Sequence, residues 1–202
     1  MKIETLVLGD FSVCTYVVSN GNECIIIDPG KDTDKIIEKI SGRKLCAILL
    51  THAHFDHIEG LEYLRSKFSA PIYIHENDVD MLGDCEKNLS ERFCPSPIEI
   101  FSPEKTLTNG EKFTVAGLEF ELIHTPGHSL GSSVYRCCDV LFTGDTLFNG
   151  CCGRCDLYGS SPSDMRASLD KLFSIKENLK VYPGHSNSTC LDEQRPLYKM
   201  FI

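Results

Sequence analysis

Three histidines and one carboxylate fall within six positions of the stretch Thr51-His52-Ala53-His54-Phe55-Asp56-His57. The stretch directly follows the apolar run 45–50, which is typical of a strand buried on both faces. Residues two apart in an extended segment point the same way, so His52 and His54 are expected to face one metal ion. Asp56 and His57 lie where the chain turns toward a helix, and they are expected to face a neighbouring position. Because imidazole and carboxylate groups bind zinc, iron and manganese, the stretch predicts a metal site.

Further candidate ligands follow apolar strands at three later places in the chain, where α/β proteins form their sites. These places are His124-Thr125-Pro126-Gly127-His128-Ser129, Thr143-Gly144-Asp145-Thr146 and Tyr182-Pro183-Gly184-His185-Ser186. Proline and glycine beside a ligand let the backbone bend sharply and approach closely. We expect His128, Asp145 and His185 to be the ligands. His124 is expected to have a structural or ligand-orienting role, and His75 to be an ordinary surface or half-buried histidine.

Apolar strand patterns alternate with helical patterns along both halves of the chain. The predicted strands are 6–8, 13–18, 24–27 and 45–50, then 112–115, 118–123, 132–136, 140–142 and 180–182. The predicted helices run from Asp32 or Thr33 to about 40, over 61–68, from the Ser161 cap onward, and from about 191. The pair Asn20-Gly21 predicts a hairpin, and the proline-containing region 83–103 reads as a surface excursion. This alternation predicts two sheets packed between helices, in one domain spanning 1–202.

The composition is that of an ordinary folded protein, with 42% hydrophobic and 24% charged residues among 202. The formal net charge is −9 and the basic residues are scattered, so we expect no nucleic-acid partner. No run approaches the ~20 apolar residues of a membrane helix, and we expect no membrane partner. The N-terminus does not resemble a secretion signal, so eleven cysteines indicate reduced thiols in a cytoplasmic protein. The oligomeric state stays open.

The string His52-x-His54-x-Asp56-His57, with His128, Asp145 and His185 in this order, resembles the metallo-β-lactamase superfamily. The contexts Thr125-Pro126-Gly127-His128, Gly144-Asp145-Thr146-Leu147-Phe148 and Pro183-Gly184-His185 are similar to those of the glyoxalase II-like branch, the hydroxyacylglutathione hydrolases. The resemblance covers nearly the whole chain and is closest to small single-domain members. It implies an α/β (α+β) fold, the four-layer αβ/βα sandwich with two sheets between helices.

Carried over residue by residue, the resemblance implies two divalent metal ions, zinc in the first instance, with iron and manganese as alternatives. The first metal would be bound by His52, His54 and His128, the second by Asp56, His57 and His185, and Asp145 would bridge the two. The implied activity is that of a dinuclear hydrolase whose metal-bridging hydroxide attacks a small acyl thioester such as S-lactoylglutathione. Asp56 and Asp145 would position that hydroxide.

Several alternatives stay open at this point. Full-length glyoxalase II has a helical C-terminal domain, whereas this sequence ends 17 residues after His185, which leaves glutathione specificity open. The segment Gly153-Arg154-Cys155-Asp156-Leu157 resembles one in persulfide dioxygenases, which would hold a single iron through a subset such as His52, His128 and Asp145. A lactonase and a non-catalytic metal-binding protein are further candidates. An aspartate in place of the cysteine ligand of some β-lactamases argues against a β-lactamase.

Two more residues have competing interpretations. Arg154 is the candidate for binding an anionic substrate group, because arginine binds carboxylates bidentately, but an ion pair with Asp156 is an equal alternative. Asp28, before Pro29-Gly30, reads as a turn residue or one that orients a ligand. Cys151-Cys152-Gly153-Arg154-Cys155 contains one Cys-x-x-Cys without a second pair, so we expect ordinary or redox-labile thiols there.

Overall fold

The structure is a computed structural model that describes residues 1–201 and contains two six-stranded sheets. The first sheet is formed, in spatial order, by β1 (Lys2–Leu8), β2 (Val13–Asn20), β3 (Glu23–Ile27), β4 (Lys44–Leu49), β5 (Ile72–His75) and β6 (Lys105–Leu107). The second is formed by β7 (Lys112–Val115), β8 (Leu118–His124), β9 (Ser133–Cys137), β10 (Val140–Gly144), β11 (Lys180–Pro183) and β12 (Thr189–Cys190). The strands from β3 to β6 run parallel, as do β10 and β11, and the other neighbouring pairs are antiparallel.

Helices cover the outer faces of both sheets. They are α1 (Thr33–Ile40), α2 (Phe55–Ile58), α3 (Leu61–Phe68), α4 (Val79–Leu82), α5 (Ser90–Phe93), α6 (Pro162–Phe173) and α7 (Leu191–Gln194). Helix α6 begins as its sequence predicts, because Ser161 Oγ accepts a hydrogen bond from the Asp164 amide and Pro162 occupies the first turn. No helix within residues 1–201 is long and apolar enough to cross a membrane.

Alternation along the strands divides the buried apolar residues into three layers. On β2, Val13 and Val17 belong to the core beneath α1 and α3, while Tyr16 and Val18 belong to the core between the sheets. A third core lies between the second sheet and α6, which contributes Met165, Leu169 and Leu172. Side chains two apart share a face of a strand, so alternate residues belong to different cores. Each sheet therefore has apolar side chains packed on both of its faces. The predicted αβ/βα sandwich is confirmed.

The structure corrects several local predictions. Asn20 pairs with Glu23, so the predicted hairpin exists but turns at Gly21 and Asn22, one residue later than expected. Strand β6 was not predicted, because it is only three residues long. The region 83–103 was expected to be a surface excursion, but it is partly buried. It contains α5, and Asn88 within it is completely buried. The single domain over 1–202 stays a prediction, and residue 202 lies outside the described part of the chain.

Candidate metal centre

All seven expected ligands converge at one edge of the two sheets. His52 and His54 follow β4, and Asp56 and His57 lie in α2. The other three follow β8, β10 and β11 of the second sheet: His128, Asp145 and His185. Strand ends of both sheets therefore supply the cluster, as the apolar runs before each motif predicted.

The cluster contains three overlapping groups whose ligand atoms lie within 4.8 Å of one another. The groups are His52, His54 and His128; His52, His57 and Asp145; and Asp56, His57 and His185. Asp145 Oδ2 lies 3.4 Å from His128 Nε2 and 3.6 Å from His185 Nε2. Asp56 Oδ2 lies 3.3 Å from His185 Nε2. One carboxylate thus lies between histidines of both predicted metal positions, which is the arrangement expected of a bridging ligand.

The unpartnered polar atoms of the cluster fit a bound metal. Besides His57 Nδ1, four buried atoms of the cluster have no hydrogen-bond partner among the described residues: His52 Nε2, His54 Nε2, His57 Nε2 and Asp145 Oδ1. Leaving a buried polar atom unpaired costs about 1–3 kcal/mol each, so four in one place require an explanation. Divalent cations that take nitrogen and oxygen ligands would satisfy His52 Nε2, His57 Nε2 and Asp145 Oδ1, while His54 turns its other ring nitrogen, Nδ1, to within 2.8 Å of His128 Nε2.

Neighbouring groups orient the imidazole rings. His57 Nδ1 lies 3.0 Å from the buried Asp28 carboxylate, and His128 Nδ1 donates to the Arg154 carbonyl oxygen at 2.9 Å. A proton on each Nδ1 leaves the lone pair of Nε2 directed into the cluster. Asp28 is itself held by the amide and hydroxyl of Thr51, at 2.8 and 2.7 Å. It therefore has the ligand-orienting role that was one of its two interpretations.

Asp78 is a residue of the site that the sequence did not reveal. Its buried carboxylate accepts hydrogen bonds from the Ala53 amide, the Ser129 hydroxyl and the Gly131 amide, at 3.2, 2.8 and 2.6 Å. Ala53 separates His52 from His54 and Ser129 follows His128, so Asp78 ties two ligand loops together. Burial raises the pKa of Asp78, which these hydrogen bonds oppose. The partners lie far away in the chain, and no local pattern marks this aspartate.

The carboxylates and histidines of the cluster shift one another's pKa values. Burial, with its neighbouring imidazoles, lowers the pKa of His52 far below its ordinary value, and it lowers that of His54 to about 3. Burial also acts against charge on Asp145, but His57 and His128 outweigh it, so the pKa of Asp145 falls well below normal. His57 behaves oppositely: burial lowers its pKa, but Asp56, Asp145 and Asp28 raise it well above normal. Ionised carboxylates beside neutral His52 and His54 are the protonation states that bind cations.

Two glycines let the loops approach the cluster. A Cβ on Gly184 would overlap Asp145 Oδ1 and lie 2.8 Å from His57 Cε1. A Cβ on Gly153 would overlap the backbone oxygen of Asp145. Only a residue without a side chain fits at either position, which explains the Gly184-His185 and Gly153-Arg154 pairs of the sequence.

The remaining candidates have other partners. The Arg154 guanidinium pairs with both oxygens of Asp156, at 2.6 and 2.8 Å, although Arg154 also lines the cavity beside the cluster. His124 Nε2 lies 2.9 Å from the Leu130 carbonyl oxygen, in the structural role expected of it. The expectation for His75 was wrong: it is only 2% exposed and stacks on His124, with ring centres 3.9 Å apart. All eleven cysteines are free, and the described metal-ligand groups contain none.

A protein-family model described as the metallo-beta-lactamase superfamily matches residues 8–185. The chain belongs to the metallo-β-lactamase superfamily. Among curated members, "Probable metallo-hydrolase YqgX" of Bacillus subtilis is 33% identical, covering 94% of this chain and 92% of its own. "Probable polyketide biosynthesis zinc-dependent hydrolase BaeB" of Bacillus velezensis is 35% identical, covering 85% and 72%. This superfamily member is accordingly a metal-dependent hydrolase, and the His/Asp cluster is its metal site.

Solved structures of the superfamily match almost the whole fold. The "BLEG-1 B3 metallo-beta-lactamase" structure has a TM-score of 0.90 and 36% identity, covering 96% of this chain and 97% of the other. "TTHA1623 in a di-iron-bound form" has a TM-score of 0.81 and 32% identity, covering 95% and 96%. "ETHE1 from Myxococcus xanthus" has a TM-score of 0.82 and 25% identity, covering 98% and 83%. Three proteins with different names therefore share this fold.

Proposed function

We propose that this metal-dependent hydrolase is a thioesterase of the glyoxalase II type, acting on a small acyl thioester such as S-lactoylglutathione. The observation that carries the proposal is the Asp145 carboxylate, whose Oδ2 lies within 3.6 Å of Nε2 of both His128 and His185. A carboxylate so placed serves two adjacent metal positions. His52, His54 and His128 would hold the first ion, Asp56, His57 and His185 the second, and Asp145 both. Zinc is the proposed metal, as the zinc-dependent relative supports, and the di-iron relative makes iron the alternative.

When bound, two such ions lower the pKa of water toward ~7 and polarise a carbonyl oxygen, which makes hydroxide available and stabilises an oxyanion. The chain's own residues set the geometry of the attack. Burial opposes ionisation of Asp56, but His57 and His185 outweigh it and lower its pKa, so this carboxylate accepts hydrogen bonds at neutral pH. Because Asp56 also lines the cavity, its Oδ2 is placed to orient the attacking water.

The cavity favours a leaving group that needs no proton donor. Its titratable lining residues are His54, Asp56, His128, Asp145 and Arg154. Four of these belong to the proposed metal site, and the Arg154 guanidinium is paired with Asp156. A thiol ionises near pH ~8.5 and therefore departs as thiolate without a general acid, whereas an alkoxide or amide does not. Thioesters suit this set of residues.

The test is release of free thiol from S-lactoylglutathione by zinc-loaded protein, compared with the Asp145→Asn variant. We expect wild-type hydrolysis, and a loss of at least about 100-fold in kcat/KM in the variant, because the neutral amide weakens both metal positions. The matched control is Asp139→Asn, an exposed aspartate in the turn between β9 and β10, which should keep full activity. Absence of thioester hydrolysis with zinc, iron and manganese in turn would contradict the proposal.

Two alternatives use the same cluster. A persulfide dioxygenase would hold one iron through His52, His128 and Asp145, and the likeness to ETHE1 is compatible with it. Metal analysis and activity distinguish the two enzymes. The dioxygenase would contain one iron per chain and consume oxygen with a persulfide, whereas the thioesterase would contain two ions and release a thiol. A lactonase would use the same two ions, and it is distinguished by faster hydrolysis of lactones than of thioesters.

β-Lactam hydrolysis is a further candidate because BLEG-1, named a B3 metallo-β-lactamase, shares 36% identity and a TM-score of 0.90 with this chain. That likeness weighs against the sequence argument that Asp145, in place of a cysteine, makes a β-lactamase improbable. Hydrolysis of a chromogenic cephalosporin by the same zinc-loaded preparation tests it. A kcat/KM for the cephalosporin above that for every thioester would make β-lactams the preferred substrates.

We place this reaction in the cytoplasm, with a small molecule as the partner and no nucleic acid or membrane. Eleven free cysteines support a reducing compartment. The net charge of −9 supports the absence of a nucleic-acid partner.

A further inference from the structure

A cavity of about 120 Å³ opens beside the metal site, and half of its lining is apolar. The polar half consists of His54, Asp56, His128, Asp145 and Arg154. The apolar half consists of Phe11, Phe55, Leu89, Phe93 and Leu157. These five apolar residues, called the apolar wall below, lie beside the metal site. Metal binding does not require them.

Three of the wall residues form an aromatic cluster. The Phe11 ring packs edge-on against Phe55 and Phe93, with ring centres 4.9 and 5.4 Å apart. Phe55 and Phe93 stack at 5.1 Å. Phe55 is buried, whereas Phe11 is 47% exposed and Phe93 44% exposed. Aromatic surface left open beside a reactive site marks a place where an apolar ligand is bound.

We propose that this apolar wall binds the acyl group of the substrate, and that the enzyme prefers thioesters of compact apolar acids, such as phenylacetyl, over those of smaller acids such as acetyl and lactoyl. The inference rests on the proposed thioesterase activity. One benzene molecule needs a cavity of about 150 Å³. A phenyl group therefore fills this smaller cavity and extends over the exposed faces of Phe11 and Phe93. Glutathione is much larger and charged, so the thiol portion lies toward solvent.

Position and charge favour an uncharged acyl group. Phe55 lies between His54 and Asp56, so the wall begins where the thioester carbonyl must lie, and the acyl substituent is attached to that carbonyl carbon. The one cation in the cavity lining, Arg154, is already paired with both oxygens of Asp156. The wall therefore selects by apolar contact rather than by ion pairing.

The experiment compares S-phenylacetylglutathione with S-acetylglutathione, which share one leaving group, on zinc-loaded protein. We expect a preference of at least about tenfold in kcat/KM for the phenylacetyl substrate. The double variant Phe11→Ala/Phe93→Ala should lose that preference, because its rate with the phenylacetyl substrate falls by more than its rate with the acetyl substrate, and Phe93→Leu should retain most of it. Phe101→Ala, which removes a 63% exposed phenylalanine from a different cleft, is the matched control.

The outcomes separate this inference from the proposed function. Equal rates with both thioesters, or equal loss of both in the double variant, would overturn the inference and leave the thioesterase proposal standing. A second readout does not require turnover: binding of 1-phenylbutan-2-one, a ketone without a leaving group, followed by saturation-transfer NMR. Saturation of its phenyl protons in the wild type and the Phe101→Ala control, but not in the double variant, supports the wall. If no thioester is hydrolysed, S-lactoylglutathione included, the proposed function fails, and the absence of phenyl saturation in the wild type would overturn the inference by itself.

Discussion

Gly184 lies against the metal ligands, and no side chain fits at its position. It precedes His185, and the space a Cβ would occupy is filled by Asp145 Oδ1 and by His57 Cε1 at 2.8 Å. One methyl group at this position would press on two of the proposed ligands at once. Packed interiors do not yield to such a displacement without moving the groups involved.

We expect Gly184→Ala to reduce the metal content of the purified protein by at least half, measured as ions per chain by elemental mass spectrometry. Gly110→Ala is the control, because Gly110 has a positive φ of 78° with nothing within 4 Å of its added Cβ. That control incurs backbone strain of about 1 kcal/mol without touching a ligand, so its metal content should match the wild type. Full metal content in Gly184→Ala would show that the loop yields more readily than its packing indicates.

His75 couples stability to pH. Burial, and then the neighbouring His124, lower the pKa of His75 to about 4, from an ordinary value near 6.5. The unfolded chain therefore takes up a proton between these pH values that the folded chain refuses. Because the unfolded state binds more protons there, stability must fall as the pH falls through that window.

We expect the metal-free protein to lose about 2 kcal/mol more unfolding free energy between pH 7 and pH 5 than the variant His75→Phe, by urea denaturation. The variant keeps a ring to stack on His124 and removes the titration. All the other histidines are common to both proteins, so the difference reports His75 and its pairing with His124. Parallel loss in the two proteins would mean that His75 accepts its proton in the folded state.

The region 83–103 is a wall element attached to the metal site. Asn88 anchors it: its side-chain amide donates to the Ile98 carbonyl oxygen at 2.8 Å, and its Oδ1 accepts from the Ser90 amide at 2.9 Å. The backbone oxygen of Asn88 accepts from the Phe55 amide at 2.9 Å. This element thereby holds Leu89 and Phe93 against the first residue of α2.

We expect Asn88→Ala to destabilise the protein by about 1–3 kcal/mol, because it leaves buried polar groups unpaired. Protease cleavage within 83–103 should become faster and the KM for thioesters should rise, while the metal content is retained. Asn22→Ala, in the exposed hairpin turn, serves as control and should change none of these. Loss of metal along with the cleavage would instead make this region part of the metal site.

The sequence predicted the elements that carry their own signal. Each proposed ligand follows an apolar run, and its chemistry is visible in a single residue, so His52, His128 and Asp145 could be proposed from the sequence, and the structure brings them together. Asp78 was missed because its three partners lie 25, 51 and 53 residues away, and such contacts exist only after folding. Strand β6 was missed because three residues are too short for a periodicity, and His75 because its burial depends on a histidine in the other sheet.

At the scale of the whole molecule, the metal site joins the two sheets. His52 and His54 follow β4 of the first sheet and lead into Asp56 and His57 in α2, and the other three ligands follow strands of the second sheet. A metal ion that binds only the folded state stabilises that state by mass action. The gain in unfolding free energy is about 2.7 kcal/mol for each ion present at 100 times its Kd. Bound metal should therefore oppose separation of the sheets.

We expect a chelator to lower the thermal midpoint of the zinc-loaded protein by several degrees, and added zinc to restore it. A protein that lacks the site, His52→Ala/His128→Ala, should melt at one temperature with or without chelator. Circular dichroism is sufficient to follow both. An unchanged midpoint in the wild type, with the metal shown to be removed, would mean that the sheets are held by their apolar core alone.

The apolar wall and the metal ligands occupy different stretches of backbone. Phe11 lies in the loop between β1 and β2, Leu89 and Phe93 in the region 83–103, and Leu157 in the segment before α6. Apart from Phe55, no wall residue adjoins a ligand in the chain. Evolution and protein engineering can therefore change the two parts separately. A library randomised at 11, 89, 93 and 157 would vary the substrates that are accepted, while the metal ligands stay the same in every variant.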